Sequence, residues 1–148
     1  MSTRKDSHLR VVARVRNVRE RDSRIGLVTA LTEERAAAAR VDTLQEGLRT
    51  MPAHTVGDVV SFSYRQQQVD SIGQALMAAR SAQQAAAVVA VSARQHWEAD
   101  RTRLAAVEAL IERREAARRQ ELQRREARDM DAVAEELWRR QGDGEDAS

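Results

Sequence analysis

The chain contains no cysteine and only one proline, Pro52, among its 148 residues. Without cysteine it has neither a disulfide framework nor a thiolate metal site. Phe and Tyr occur once each and Trp twice, and much of the 42% hydrophobic fraction is alanine. With so few large side chains the chain has little apolar area to bury, so we do not expect a thick globular core.

Long apolar runs and glycine-rich motifs are also missing. No stretch approaches the roughly 20 apolar residues of a membrane span, and no apolar segment follows the basic N-terminus. We find no phosphate-binding loop, nucleophile elbow or paired carboxylates, and the three histidines are far apart in the sequence. We therefore predict a cytoplasmic protein that is not an enzyme and that has no metal ion and no cofactor.

The composition that remains is that of long helices. Charged residues make up 32% of the chain, and Ala, Glu, Arg and Leu dominate. After Pro52 an apolar or small residue recurs in alternating steps of three and four, and only Gln83 and Asp100 interrupt the series. The positions of this series are Val69, Ile72, Leu76, Ala79, Gln83, Ala86, Ala90, Ala93, Trp97, Asp100, Leu104, Val107 and Ile111. Such a narrow stripe requires a partner helix, and the nearest candidate is the first half of the chain.

The predicted fold is all-α, with two long helices that form an antiparallel coiled-coil hairpin. Helix one is expected at about 3–51, beginning at a capping box formed by Thr3 and Asp6, and the turn at 52–55. Helix two, longer and overhanging, is expected at about 55–141. Residues 1–141 form one domain, and the acidic tail 142–148 is expected to be disordered. Residues 59–64 alternate like a strand but have no pairing partner, so we interpret them as the first turns of helix two.

A turn near residues 53–54 sets the pairing of the two helices. It places Val18 near Val91 and Ile25 near Gln84, and it leaves everything beyond about Val107 without a partner. The residues predicted to form the coiled-coil seam are Val11, Val15, Val18, Ile25, Leu48, Trp97, Leu104, Val107 and Ile111. A separate apolar set in the overhang is a candidate docking face and consists of Leu122, Met130, Val133, Leu137 and Trp138. Gly26 indicates either a bend in helix one or a close approach of the partner helix, and the sequence leaves both open.

The charges are unevenly distributed along the chain. Residues 1–24 contain eight Arg or Lys and three acids, whereas residues 129–148 contain seven acids and two Arg. This polarity is typical of a molecule whose ends meet different charged surfaces, although any charged coiled coil shows some of it. Nucleic-acid binding is disfavoured, because the basic residues alternate with Glu and no aromatic platform accompanies them.

Several segments together resemble the FliJ family of flagellar type III export. They are the basic start Leu9–Arg16, the break at Pro52, the Trp97-Glu98 pair on a long second helix, Glu112-Arg113-Arg114, and the run Arg125–Ala134. The resemblance spans nearly the whole chain, and the related injectisome proteins share the pattern. It implies a stalk, monomeric by itself, at the inner face of the cell membrane, peripheral to it at the flagellar base. The end bearing both termini would enter the pore of the hexameric flagellar export ATPase, and the hairpin half would reach the cytoplasmic domain of the export gate. Export chaperones are the third partner that the resemblance implies.

Carried onto this sequence, the resemblance gives two sets of partner-binding candidates. The ATPase-facing candidates are Arg10, Arg14, Arg113, Arg114, Arg118 and Arg119. The candidates facing the export gate are Phe62, Tyr64, Val69, Ile72 and Leu76. Two other functions stay open from the sequence. One is a generic coiled-coil scaffold or oligomerising adaptor, which would form a dimer through the seam; the other is a coiled coil that binds nucleic acid with salt-dependent affinity.

Overall fold

Two helices make up the computed structural model, which describes residues 2–53 and 57–145, with side chains described for residues 6–53 and 57–142. Helix α1 comprises Ser2–Arg49, 48 residues, and helix α2 comprises Val59–Glu145, 87 residues. The described part of the chain contains no strand, and contacts between α1 and α2 form an antiparallel hairpin whose second helix is the longer. The predicted all-α hairpin is thus confirmed.

The boundaries of the helices differ from the predicted ones by a few residues. Helix α1 ends at Arg49, and α2 begins at Val59, where the Ser61 backbone N–H donates to Asp58 Oδ1 at 2.8 Å. Asp58 is therefore the N-cap of α2. Helix α2 extends to Glu145, so residues 142–145, predicted to be disordered, are helical. The strand-like run that begins at Val59 is helical, as we interpreted it.

The chain divides into two compact units. Unit 1 consists of Met1–Arg14 and Ala105–Ser148, and unit 2 consists of Val15–Leu104. In unit 2 Val41 of α1 packs against Leu76 and Ala79 of α2, with Leu44 beside them. In unit 1 Asp6 of α1 contacts Arg114 and Arg118 of α2.

The register of unit 2 corrects the predicted pairing. Trp97 Nε1–H donates to Glu20 at 2.9 Å, so Ile25 lies level with about Ser92 and not with Gln84. This difference of about eight residues corresponds to roughly 12 Å along the helix axis. With this register Arg49, the last residue of α1, lies level with about Gln68, so the first turns of α2 extend past the end of α1.

The α1 side of the seam also differs from the predicted one. In unit 2 the shielded α1 positions follow each other in steps of three and four. They are Arg16, Glu20, Ser23, Leu27, Ala30, Glu34, Ala37, Val41 and Leu44, and Leu31 and Ala38 beside this series are also half-buried. Val11, Val15, Val18 and Ile25, which we assigned to the seam, are 49–59% exposed, and Leu48 is 38% exposed at the end of α1. Apolar periodicity selected the wrong face, because several seam positions of α1 are polar.

The α2 side of the seam lies where the sequence pattern places it. Val69 to Leu104 of that series are buried or half-buried in unit 2, and Val107 and Ile111 are half-buried in unit 1. Even the two interruptions are shielded, since Gln83 is half-buried and Asp100 is buried. The heptad spacing of α2 therefore determines its buried face regardless of the polarity of single residues.

Candidate functional site

The α1 and α2 segments of unit 1 are held together by ion pairs. Arg118 Nη1 donates to Asp6 Oδ2 at 2.5 Å, and Arg114 lies 3.5 Å from the other carboxylate oxygen of Asp6. One turn further along α1, Arg10 pairs with Glu115 at 3.8 Å. The Asp6 side chain is only 13% exposed, so its two guanidinium partners shield it from water. These contacts extend the seam past Ile111 with charged residues in place of apolar ones.

Three of the six arginines predicted to face the ATPase are thus engaged within the chain: Arg10, Arg114 and Arg118. Arg14, Arg113 and Arg119 are exposed, and none of them forms an ion pair with another described side chain. The sequence did not separate these two groups, because the shift in register that brings α1 opposite Arg114 and Arg118 was not visible in it.

Beyond these pairs α2 has no partner helix among the described residues of unit 1. Helix α1 begins four residues before Asp6, so the antiparallel pairing ends near Leu122. We call residues 122–142 the overhang. It begins about fifteen residues later than the predicted limit at Val107, because Asp6 lies beside Arg118 and not near position 103, where the predicted pairing placed it. All of its side chains are exposed.

The overhang is amphipathic although nothing within the described chain covers it. Its apolar face carries the large side chains Leu122, Met130, Val133, Leu137 and Trp138, which are 57–79% exposed. The other side carries an ion pair within the helix, Arg139–Glu135 at 3.4 Å, and Arg140 pairs with Glu136 at 3.1 Å at the edge of the apolar face. Such pairs each stabilise an exposed helix by about 0.3–0.5 kcal/mol. The helix is thus supported on one side, and its apolar side is available to another protein.

The hairpin tip is the second exposed apolar surface and lies in unit 2. Val59, Val60, Phe62 and Tyr64 are 54–80% exposed at the start of α2. Asp58 fixes this start, since the Ser61 side chain and its backbone N–H both bond to the carboxylate and lower the pKa of Asp58. The tip therefore presents aliphatic and aromatic side chains from a capped helix.

The five gate-facing candidates do not form one surface. Phe62 and Tyr64 are exposed, and Val69 and Ile72 are half-buried on the seam. Leu76 is only 8% exposed in the core cluster with Val41, so its assignment as a docking residue is wrong. Its heptad position already indicated a core role, and that role prevails because the side chain packs against α1.

A polar cluster inside unit 2 was missed by the sequence analysis. The Asp100 side chain, 7% exposed, lies 3.3 Å from Arg103 and 3.8 Å from His96 Nε2. Near it on the seam, Glu20 accepts the Trp97 hydrogen bond and pairs with Arg24 at 3.6 Å. The break in the apolar series at Asp100 was the signal that could have revealed this cluster.

An open groove of about 950 Å³ runs beside this cluster. Small residues of both helices form much of its lining, among them Gly26, Ala30 and Ala93. A Cβ added at Gly26 would meet no other atom within 4 Å, and α1 continues through this position. A close approach of α2 therefore does not account for the glycine. In the described residues no group of three His, Asp or Glu side chains could hold a metal ion.

The comparisons with known proteins point to a single family. The family model described as "Flagellar FliJ protein" matches residues 5–143 of the 148-residue chain. No curated protein and no solved structure matches the chain significantly. In the described part of the chain, neither helix is both long and apolar enough to cross a membrane.

Proposed function

Because the chain belongs to the FliJ family and is therefore a component of the flagellar export apparatus, we propose that it is the stalk that binds the hexameric export ATPase. In this proposal the stalk couples the ATPase to the export gate and escorts export chaperones, without catalysing a reaction itself. It acts in the cytoplasm, at the inner face of the membrane beneath the flagellum. The observation that carries the proposal is the family match across both helices, together with exposed apolar surfaces at the tip and in the overhang.

The ATPase-binding surface is assigned to unit 1. It comprises the overhang face around Val133 and Leu137 and the exposed arginines Arg113 and Arg119, which form no ion pair with the other described residues. The apolar face supplies contact area, and the guanidinium groups favour an acidic rim on the partner. Arg114 and Arg118 have a different role, because their pairs with Asp6 hold α1 against α2.

The gate-binding surface is assigned to the hairpin tip. Phe62 and Tyr64 project near the start of α2 beside Val59 and Val60, and aromatic side chains often provide a large share of the affinity in protein interfaces. Leu76 is not part of this surface, because it is buried in the core.

The first experiment measures binding to the purified export ATPase of the same cell, and the stimulation of its ATP hydrolysis. We expect the full-length chain to co-purify with the hexamer and to raise its turnover. Substitution Val133→Glu places a charge on the overhang face, and we expect it to weaken binding roughly tenfold or more. The neighbouring Ala132→Glu introduces the same charge at an exposed position about 100° around the helix, outside the apolar face, and serves as the matched control. No association of the unsubstituted chain with the ATPase would refute the proposal.

The second experiment separates the tip from the overhang. We expect Phe62→Ala with Tyr64→Ala to weaken binding to the cytoplasmic domain of the export gate and to leave ATPase binding unchanged. The control is Gln66→Ala, an exposed substitution one turn further along α2. If the tip variant lost ATPase binding instead, the two assignments would have to be exchanged.

A further inference from the structure

Between Val15 and Ile25, α1 turns its polar side towards α2 and its apolar side towards solvent. Glu20 and Ser23 are shielded on the seam, whereas Val15, Val18 and Ile25 are 49%, 57% and 59% exposed. This is the reverse of an ordinary amphipathic helix, whose apolar stripe faces the core. The Glu20 carboxylate on the side facing α2 has partners, since it accepts a hydrogen bond from Trp97 and pairs with Arg24. The outward valines have no corresponding intramolecular role.

The exposed side chains form a regular stripe. Val18 and Ile25 are seven residues apart and lie opposite the seam, and Val15 precedes Val18 by three residues. With Asp22 they repeat the alternating steps of three and four that bring one helix against another. We call Val15, Val18, Asp22 and Ile25 the outer face of α1. Because α2 already occupies the seam, only a third helix can cover this face.

The charged residues beside the outer face of α1 indicate what kind of helix can bind there. Arg19 and Arg21 flank the stripe, are exposed, and form no ion pair with any other described side chain. Asp22 is the only exposed acid between Val15 and Ile25, since Glu20 is engaged on the seam. An occupant with carboxylates beside its apolar stripe would pair with these guanidinium groups, and a basic occupant would be repelled.

The same charges disfavour a second copy of this chain on the outer face. In an antiparallel arrangement centred on this stretch Arg19 would face Arg21 of the second copy, and in a parallel arrangement each arginine would face its equivalent. Like charges placed opposite each other destabilise paired helices.

We infer that the outer face of α1 is a docking site for an acidic amphipathic helix of another protein, which packs on unit 2 as a third helix. The site is separate from the tip and the overhang, and it adds a third binding surface to the proposed function. A contact of three helical turns buries less area than a standard interface, so the affinity is modest, with a Kd of roughly 10–100 µM.

The test uses two synthetic three-heptad helices as probes. Both carry the same leucine stripe, one flanked by Glu and the other by Lys, and their binding to the full-length chain is measured by fluorescence anisotropy. We expect the Glu-flanked peptide to bind at least about tenfold more tightly, with an affinity that falls as salt is added. Val18→Glu and Ile25→Glu should each weaken binding about fivefold or more, and Arg21→Glu should reduce the preference for the Glu-flanked peptide.

The control variant is Gln95→Glu, which adds the same charge at an exposed position of α2. Circular dichroism checks that every variant keeps its helix content. We expect no loss, because all the substituted positions are exposed. The inference would be overturned if both peptides bound equally well, or if the Val18→Glu chain bound the Glu-flanked peptide as tightly as the unsubstituted chain does. It would also be overturned if the Glu-flanked peptide did not bind at millimolar concentration. A dimer of the full chain that Val18→Glu abolishes would also overturn it, because a second copy would then be the occupant.

Discussion

Units 1 and 2 are parts of the same two helices, yet different forces hold them. All the buried apolar side chains of the described residues lie in unit 2: Leu27, Ala30, Val41, Leu76, Ala79 and Ala90. In unit 1 the shielded apolar side chains, such as Val107 and Ile111, are only half-buried, and Asp6 and Arg10 add ion pairs between α1 and α2. Apolar burial stabilises by about 25 cal/mol per Å², whereas exposed ion pairs contribute about 0–1 kcal/mol each and weaken with salt. We therefore expect unit 2 to be the more stable part of the hairpin and unit 1 to open more easily.

The largest effect is expected from the core of unit 2. Leu76→Ala removes the largest α2 side chain of the core cluster, so we expect unfolding to become easier by about 2–3 kcal/mol. In thermal unfolding followed by circular dichroism this corresponds to a decrease in Tm of roughly 4–10 °C. The control is Met77→Ala, because the Met77 side chain is 73% exposed. A Tm that falls equally in both variants would show that the core does not dominate the stability of unit 2.

A second variant makes the seam of unit 2 more apolar. Asp100 is buried on the seam, where its neighbours in the series are apolar or small. Replacing a buried ion pair by apolar side chains is often stabilising, and here the partners His96 and Arg103 are 74% and 55% exposed, so neither is left as a buried charge. We therefore expect Asp100→Leu to raise stability by about 1 kcal/mol. The measurement is chemical denaturation, with the exposed Asp70→Leu as control. A marked loss of stability would mean that the polar cluster around Asp100 holds this part of the hairpin together.

The ion pairs of unit 1 should give a smaller and local effect. Asp6→Asn removes the charge that both Arg114 and Arg118 contact, and we expect a loss of about 0.5–1 kcal/mol. Amide hydrogen exchange should accelerate in residues 6–14 while the Tm changes little, and 0.5 M salt should produce the same pattern in the unsubstituted chain. Asp22→Asn is the matched control, because Asp22 forms no ion pair with the other described residues. Unchanged exchange in unit 1 would show that the ion pairs do not hold it.

The smallest effect concerns the cap of α2 and depends on pH. Hydrogen bonds from the Ser61 side chain and backbone N–H lower the pKa of Asp58 from its ordinary value of 3.8. Because the folded pKa is the lower one, the cap stabilises α2 above about pH 3.8, and this contribution is lost as the pH falls through the folded pKa. We expect the amide of Ser61 to exchange faster, relative to amides in the middle of α2, as the pH is lowered into this range. Asp58→Asn keeps the acceptor and should remove the pH dependence, whereas Asp58→Ala should show fast exchange at every pH.

Much of the fold was predictable because a coiled-coil seam is a local property of the sequence. The series from Val69 to Ile111 identified the shielded face of α2, and Pro52 identified the connection. The outer face of α1 was mistaken for the seam, because Val11, Val15, Val18 and Ile25 are more apolar than the polar seam positions such as Arg16 and Glu20. Leu27, Ala30, Val41 and Leu44 carry the true series, and extending it towards the N-terminus would have corrected the assignment.

The candidate surfaces were less predictable than the fold. Exposure separates Phe62 and Tyr64 from the buried Leu76, and ion pairing separates Arg119 from Arg118, although each set looked uniform in the sequence. These distinctions depend on the register of the hairpin. Register is set by the contacts between the two helices, and neither Pro52 nor a capping motif specifies those contacts.

The sequence by itself determined that this protein is an all-helical hairpin without cysteine chemistry, because composition and heptad spacing act along the chain. It also carried the FliJ signature, which the family match confirmed. Only the tertiary structure decided which arginines bind within the chain, where the overhang begins, and which side of α1 faces solvent. Those features depend on how far one helix is shifted against the other, and that shift is the sum of many contacts between residues distant in the sequence.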